Sequence, residues 1–159
     1  MPVGTEIERK YLLREVPPGI EWTEILPLRQ GYVALDGETE VRLRLDESSA
    51  TLTVKHGGGR VRVEEEMPLD RDRAEALWEL TRGRRIQKTR RRARLDDLLL
   101  EVDQYEGELE GLLVAEVEFP DRGAADRFEP PGWFGREVTE DSAYKNRSLA
   151  CNGRPEEEA

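Results

Sequence analysis

Along most of this chain charged and apolar residues alternate with a period of two, and the charged members come in tight groups of one sign. Successive side chains of a β-strand point to opposite faces, so the pattern fixes both the strands and the residues that share a face. In Thr5–Leu13 (TEIERKYLL), Glu6, Glu8 and Lys10 fall on one face and Ile7, Arg9 and Tyr11 on the other. Leu28–Ala34 reads as a second strand. Asp36-Gly37 then signals a tight hairpin into Thr39–Asp46, where Arg42 and Arg44 alternate with Val41, Leu43 and Leu45. Thr51–His56 sets Thr51, Thr53 and Lys55 opposite Leu52 and Val54, and Gly57–Gly59 turns the chain into RVRVEEEM, with Arg60, Arg62, Glu64 and Glu66 on one face.

A helix is expected next. Asp70 is a good N-cap, Ala74, Leu77, Trp78 and Thr81 form a helical stripe, and Gly83 ends it. Alternation resumes over Arg84–Leu95, turns at Asp96-Asp97, returns through Leu98–Tyr105, and ends in Leu112–Phe119, where Glu116 and Glu118 share a face. Short helices are expected at Gly123–Phe128, between Pro120 and Pro130-Pro131, and near Asp141–Ala150.

Eight strands joined mostly by hairpins define a mainly-β α+β chain. An ordinary half-buried sheet wets its polar face, but here that face carries bulky charges of one sign in groups. A closed eight-stranded antiparallel barrel, charged inside and apolar outside under packed helices, accommodates both faces and leaves room for a small ligand. Residues 1–150 are read as one such domain and 151–159 as a flexible acidic tail.

Composition narrows the partners. Of 159 residues 38% are charged, and 25 Lys and Arg against 35 Asp and Glu give a net charge of −10. An acidic chain argues against nucleic acid as the main partner. No apolar run is long enough for a membrane helix, the charged N-terminus is unlike a secretory signal, and a lone Cys151 fits a reducing compartment. The expected location is cytoplasmic, and a homodimer is compatible with the sequence. Yet Arg82–Arg94 (RGRRIQKTRRRAR) holds eight basic residues and no acid, so the charge is sorted rather than mixed.

Three acid pairs occur at i, i+2 spacing: Glu6/Glu8, Glu64/Glu66 and Glu116/Glu118. This spacing aims two carboxylates the same way about 7 Å apart, and hard cations such as Mg²⁺ or Mn²⁺ take such oxygen ligands. Arg42/Arg44 and Lys88/Arg90 repeat the spacing with positive charge, and Lys10, Lys55 and Arg62 add to them; guanidinium and ammonium groups in this number suit a phosphate chain. One Glu-x-Glu strand alone is an ordinary solvated face. Five pairs on separate strands are not.

Glu6-Ile-Glu8-Arg-Lys10 resembles the N-terminal ExExK signature of the CYTH domain, the triphosphate tunnel metalloenzyme family. The resemblance continues in order through Gln30-x-Tyr32, Arg42-x-Arg44, Thr53-Val-Lys55, Arg62-x-Glu64-x-Glu66, Ile86-x-Lys88-x-Arg90, Glu101-Val-Asp103 and Ala115-Glu116-Val-Glu118-Phe119. It closes with Trp133-x-Gly135-Arg-Glu137-Val-Thr139 and Tyr144-x-Asn146-x-x-Leu149. It implies an eight-stranded tunnel that binds a triphosphate-containing small molecule and needs Mg²⁺ or Mn²⁺. Lys10, Arg42, Arg44, Lys55, Arg62, Lys88 and Arg90 would then grip phosphates, and Glu116 and Glu118 would be the main metal ligands. Glu6, Glu8, Glu64 and Glu66 would serve a second metal or orient the attacking water. Members of the family include inorganic triphosphatases, thiamine-triphosphatases, RNA triphosphatases and class IV adenylate cyclases. Hydrolysis of inorganic tripolyphosphate is the expected activity; cyclisation of ATP, thiamine-triphosphatase activity and binding without turnover are the alternatives.

Other features read as structural. His56 and Gly57–Gly59 belong to a turn that lacks the lysine and Ser/Thr of a P-loop. Trp78, Trp133 and Tyr144 read as packing residues, and Cys151 needs no role. Arg82, Arg84, Arg85, Arg91, Arg92 and Arg94 exceed what a tunnel wall can turn inward, so some of them are expected outside, as a solvated face or an anionic docking patch.

Overall fold

A computed structural model describes residues 7–57 and 63–156. Eight strands, β1 (Ile7–Leu12), β2 (Glu24–Asp36), β3 (Thr39–Leu45), β4 (Ala50–His56), β5 (Val63–Pro68), β6 (Arg85–Leu95), β7 (Leu98–Tyr105) and β8 (Leu113–Phe119), form one antiparallel sheet in the order β1-β8-β7-β6-β2-β3-β4-β5. Helices are few and short: α1 (Arg71–Trp78), α2 (Arg122–Arg127) and α3 (Asn146–Asn152). Asp70 caps α1, accepting from the Arg73 N–H, as its side chain predicts. The C-terminal helical expectation divides into a 3-10 turn, Ser142–Tyr144, and α3, which runs past residue 150 to Asn152.

The second strand is longer than its pattern suggests, because Pro27 does not stop it. Tyr32 N–H donates to Arg84 O in the β2–β6 register, so even-numbered residues of β2 bond β6. The Pro27 nitrogen therefore faces the other side, where β3 pairs only from Arg29 onward, and no ladder bond is forfeited.

The expected closure is not found among the described residues. No ladder joins β5 to β1, and β5 is exposed along its whole length. Part of the reason lies at the β1 edge, which segment 135–139 already occupies. Leu12 N–H donates to Arg136 O, Gly135 N–H to Leu12 O and Val138 N–H to Lys10 O, while the Thr139 hydroxyl accepts from the Lys10 N–H. Local alternation cannot reveal that a distant irregular segment competes for a strand edge.

Apolar side chains divide by face. Leu100, Val102, Ala115, Val117 and Phe119 pack on the outer face with Ala125 of α2, and Leu43, Leu45 and Ala50 pack under Ala74 and Trp78 of α1. The third cluster lies at one end of the inner face, where Tyr32, Ile86, Tyr105 and Val114 meet Val138, Tyr144, Leu149 and Ala150. The C-terminal segment thus covers that end. Trp78, Trp133 and Tyr144 are packing residues, as expected.

Gly31 marks the closest approach between β2 and the 3-10 turn Glu79–Thr81. A Cβ at Gly31 would stand 2.5 Å from the Thr81 Cβ, and Thr81 is fully buried. Gly31→Ala is expected to destabilise the protein by about 1–3 kcal/mol through overpacking. Paired with Thr81→Ser, which removes one methyl, it should recover part of that loss in a denaturant titration.

Candidate functional site

Strand register carries the expected charges onto one face of the sheet. Across β1, β8, β7, β6 and β2, Lys10 stands opposite Glu116, Glu116 opposite Glu101, Glu101 opposite Arg92, and Arg92 opposite Glu24. Glu8 and Glu118 are partners one row away, and Asp103 and Arg90 one row the other way. On the far half, Gln30, Arg44 and Thr51 form one row, Tyr32, Arg42, Thr53 and Glu66 the next, and Lys55 pairs with Glu40 and Glu64.

The middle of this face is a buried ionic network. Lys88 Nζ donates to Asp103 Oδ2 at 2.8 Å, with both side chains about as buried as the core. Arg90 grips the same carboxylate with two bonds, Nε to Oδ1 at 2.8 Å and Nη2 to Oδ2 at 3.0 Å. Arg92 Nε donates to Glu101 Oε2 at 2.7 Å, and Arg90 Nη1 lies 3.4 Å from the same oxygen. Burial pushes the Lys88 ammonium below the usual lysine range, and Asp103 opposes it. Burial would raise the Asp103 carboxyl, but Lys88 and Arg90 hold it well below the usual carboxylate range.

Cations outnumber carboxylates where Arg44 approaches this network. Burial, followed by the charges of Arg90, Arg42 and Arg92, lowers the Arg44 guanidinium from its ordinary value. Beside it two buried donors, Arg42 Nε and Gln30 Nε2, have no hydrogen-bond partner among the described residues. Unpaired buried donors cost free energy unless something accepts from them. Cationic excess and orphaned donors together suit an anion with several oxygens.

Carboxylates gather at the β1–β8 side. Glu116 is largely buried and lies 3.4 Å from Lys10 Nζ, which also donates to Tyr144 O at 3.3 Å. Glu8 and Glu118 are half-buried next to it. Among the described residues no three carboxylate, imidazole or thiol groups stand close enough to hold one metal ion. The donor set itself is hard oxygen, the chemistry that Mg²⁺ or Mn²⁺ takes.

Of the residues expected in the site, the structure brings Glu8, Lys10, Arg42, Arg44, Lys55, Lys88, Arg90, Glu116 and Glu118 to one face. Glu64 and Glu66 share that face but are exposed on β5, at the sheet edge opposite to β1. Glu6 and Arg62 lie outside the described residues. Asp103, Glu101, Gln30 and Glu40 belong to the face without having been assigned a role. Their signal was present as i, i+2 parity with Lys88 and Arg90, but only the register names partners. Among the surplus arginines Arg82 and Arg94 are exposed, and Arg92 lies on the charged face, paired with Glu101 and Glu24. Arg84 donates to Tyr32 O, Val33 O and Leu80 O, Arg85 to Trp78 O and the Thr81 hydroxyl, Arg91 to Gln104, and Arg82 pairs with Glu79. Arg84 and Arg85 thereby hold the turn before β6 in place.

Relatives now bear on this geometry. An inorganic triphosphatase of Nitrosomonas europaea is 45% identical over 150 residues, covering 93% of this chain and 98% of the relative. The chain belongs to the CYTH, or triphosphate tunnel, family. An inorganic triphosphatase of Acetivibrio thermocellus is 35% identical over 158 residues, covering 94% of this chain and 96% of that one. A crystal structure of an inorganic triphosphatase superposes with a TM-score of 0.82 at 43% identity, over 94% of this chain and 97% of that chain. No protein-family model matches the sequence. Among the described residues no helix is long and apolar enough to cross a membrane.

Proposed function

We propose that the chain hydrolyses inorganic tripolyphosphate with the help of Mg²⁺ or Mn²⁺. The observation that carries this reading is the buried Arg42 Nε beside Arg44, without a partner among the described residues, at the cationic end of a face whose other end is lined by carboxylates. An elongated polyanion fits such a polarised face, with its far phosphates on cations and its reacting end near acids. The activity of the two inorganic triphosphatase relatives points the same way.

Arg42, Arg44, Lys55 and Arg90 would hold the phosphate chain, with Lys10, Lys88 and Arg62 adding charge along it. Lys88 and Arg90 are aimed by Asp103, so each meets substrate with little side-chain freedom to lose. Glu116 and Glu118 would be the main metal ligands; Glu6, Glu8, Glu64 and Glu66 would serve a second ion or orient the water. Bound metal would neutralise charge on the transferred phosphoryl group. The last assignment requires β5 to approach β1 beside residues 7–9, beyond the stretch that segment 135–139 covers, closing the sheet into a tunnel around substrate.

Phosphate release is expected from tripolyphosphate with Mg²⁺ or Mn²⁺ and is expected to be slower from ATP and thiamine triphosphate. Cyclic AMP and pyrophosphate from ATP would instead make the chain a cyclase. Tight metal-independent binding without turnover would make it a binding module. Arg44→Ala should raise KM for tripolyphosphate about tenfold or more, the loss of one charge-assisted contact of roughly 1.5–3 kcal/mol. An unchanged KM would remove Arg44 from the site.

A further inference from the structure

A second cluster of cations lies behind the segment that covers one end of the charged face. Three arginines from separated parts of the chain, Arg14 just after β1, Arg136 in the segment paired to β1, and Arg154 beyond α3, line a cavity of about 430 Å³ with no carboxylate in its wall among the described residues. Its remaining wall is apolar or backbone, from Leu12, Gly111 and Tyr144 among others. In a chain of net charge −10, three guanidiniums around one cavity run against the overall balance.

Packing brings the arginines there. Gly111 has φ +95°, and a Cβ on it would stand 2.9 Å from Arg154 Nη1, so the guanidinium lies directly on the turn before β8. Arg136 lies over the Tyr144 ring, 5.8 Å from its centroid, with its Nη1 3.8 Å from Asp141 Oδ2. Arg14 and Arg154 enter no ion pair among the described residues. All three side chains are exposed at its mouth, open to an anion from solvent, and planar guanidiniums match the oxygens of phosphate groups. The size admits more than one phosphate unit, since cavities of this order hold small ligands.

We propose that this cavity is a second anion site, separate from the candidate active site, that takes inorganic phosphate or pyrophosphate. It lies across Tyr144 from the charged face: the Tyr144 carbonyl accepts from Lys10, while Arg136 covers its ring. The proposal does not depend on the hydrolytic reading, since it concerns different residues.

The test is a metal-free NMR titration of the full chain with pyrophosphate, following the Gly111 and Gly135 amides. These should shift saturably, and sodium chloride at matched ionic strength should not reproduce the shifts. In Arg14→Gln/Arg154→Gln the apparent affinity at these amides should fall about tenfold or more, while turnover of tripolyphosphate stays unchanged. Arg14→Gln alone, at an exposed position, should give an intermediate loss and guards against misfolding of the double variant. In Arg42→Ala/Arg44→Ala the shifts should persist, which separates this cavity from the active-site reading. Unmoved amides, equal shifts from chloride, or shifts lost with Arg42 and Arg44 but retained without Arg14 and Arg154 would each overturn the proposal.

Discussion

Glu116→Gln should lower kcat for tripolyphosphate at least about a hundredfold, a barrier increase of roughly 2.7 kcal/mol. The substitution keeps the shape of a largely buried side chain, so the sheet should form normally. What it removes is a charged oxygen donor at the centre of the carboxylate group, opposite Lys10 on one side and Glu101 on the other. If Glu116 holds metal, the loss should shrink as Mg²⁺ or Mn²⁺ is raised, and KM for the triphosphate should change much less than kcat. Should Glu116 serve only to pair with Lys10, added metal would rescue nothing. Activity within a few-fold of the parent at every metal concentration would remove Glu116 from the centre of the mechanism.

Asp103→Asn should produce the largest loss of stability of any conservative change on the charged face. One buried carboxylate there compensates both Lys88 and Arg90. Neutralising it leaves Lys88 without a paired carboxylate and Arg90 with Glu101 alone, in an interior too dry to solvate them, a cost of about 3–5 kcal/mol. For a chain of this length that is a fall in Tm of about 10 °C. The exposed Arg82–Glu79 pair has similar contact geometry but is screened by water, so Glu79→Gln should leave Tm nearly unchanged.

The pH dependence has a definite sign. Asp103 titrates well below its ordinary value in the folded protein, so its contribution is complete above about pH 4, the unfolded carboxylate range. That contribution is lost as pH falls further, toward the folded value. Parental stability should therefore drop steeply below about pH 4, and that of Asp103→Asn less steeply. Parallel acid limbs for the two proteins would show that Lys88 and Arg90 do not depend on Asp103. Tripolyphosphate without metal should raise the Tm of both, since it supplies the missing negative charge.

Both predictions rest on positions that are unequally visible in sequence. Glu116 and Glu118 stand out as an i, i+2 pair whose alternation with Val117 and Phe119 fixes the face they share. Asp103 has the same spacing from Glu101, but nothing local distinguishes a carboxylate that binds metal from one that anchors a lysine and an arginine. Lys88 and Arg90 look equivalent to Arg42 and Arg44 on the same grounds. In the structure the first two are neutralised by Asp103 and Glu101, whereas Arg42 and Arg44 face the site without such partners among the described residues. The run Arg82–Arg94 shows the same limit, because Arg84 and Arg85 are spent on carbonyl oxygens of the preceding turn. Backbone acceptors have no signature in the side-chain order.

By itself the sequence determined the strands, the hairpins within β2–β5 and β6–β8, and the face to which each charge belongs. Alternation is a local property, and a strand's pleat obeys it wherever the strand lies. Tertiary structure decided how the strands were ordered, placing β1 beside β8 and β2 beside β6, and so which charges meet. It also gave the β1 edge to segment 135–139 and covered one end of the charged face with Tyr144 and α3. Those outcomes depend on which distant segments compete for the same hydrogen bonds and the same apolar surface, a competition that residue periodicity does not encode.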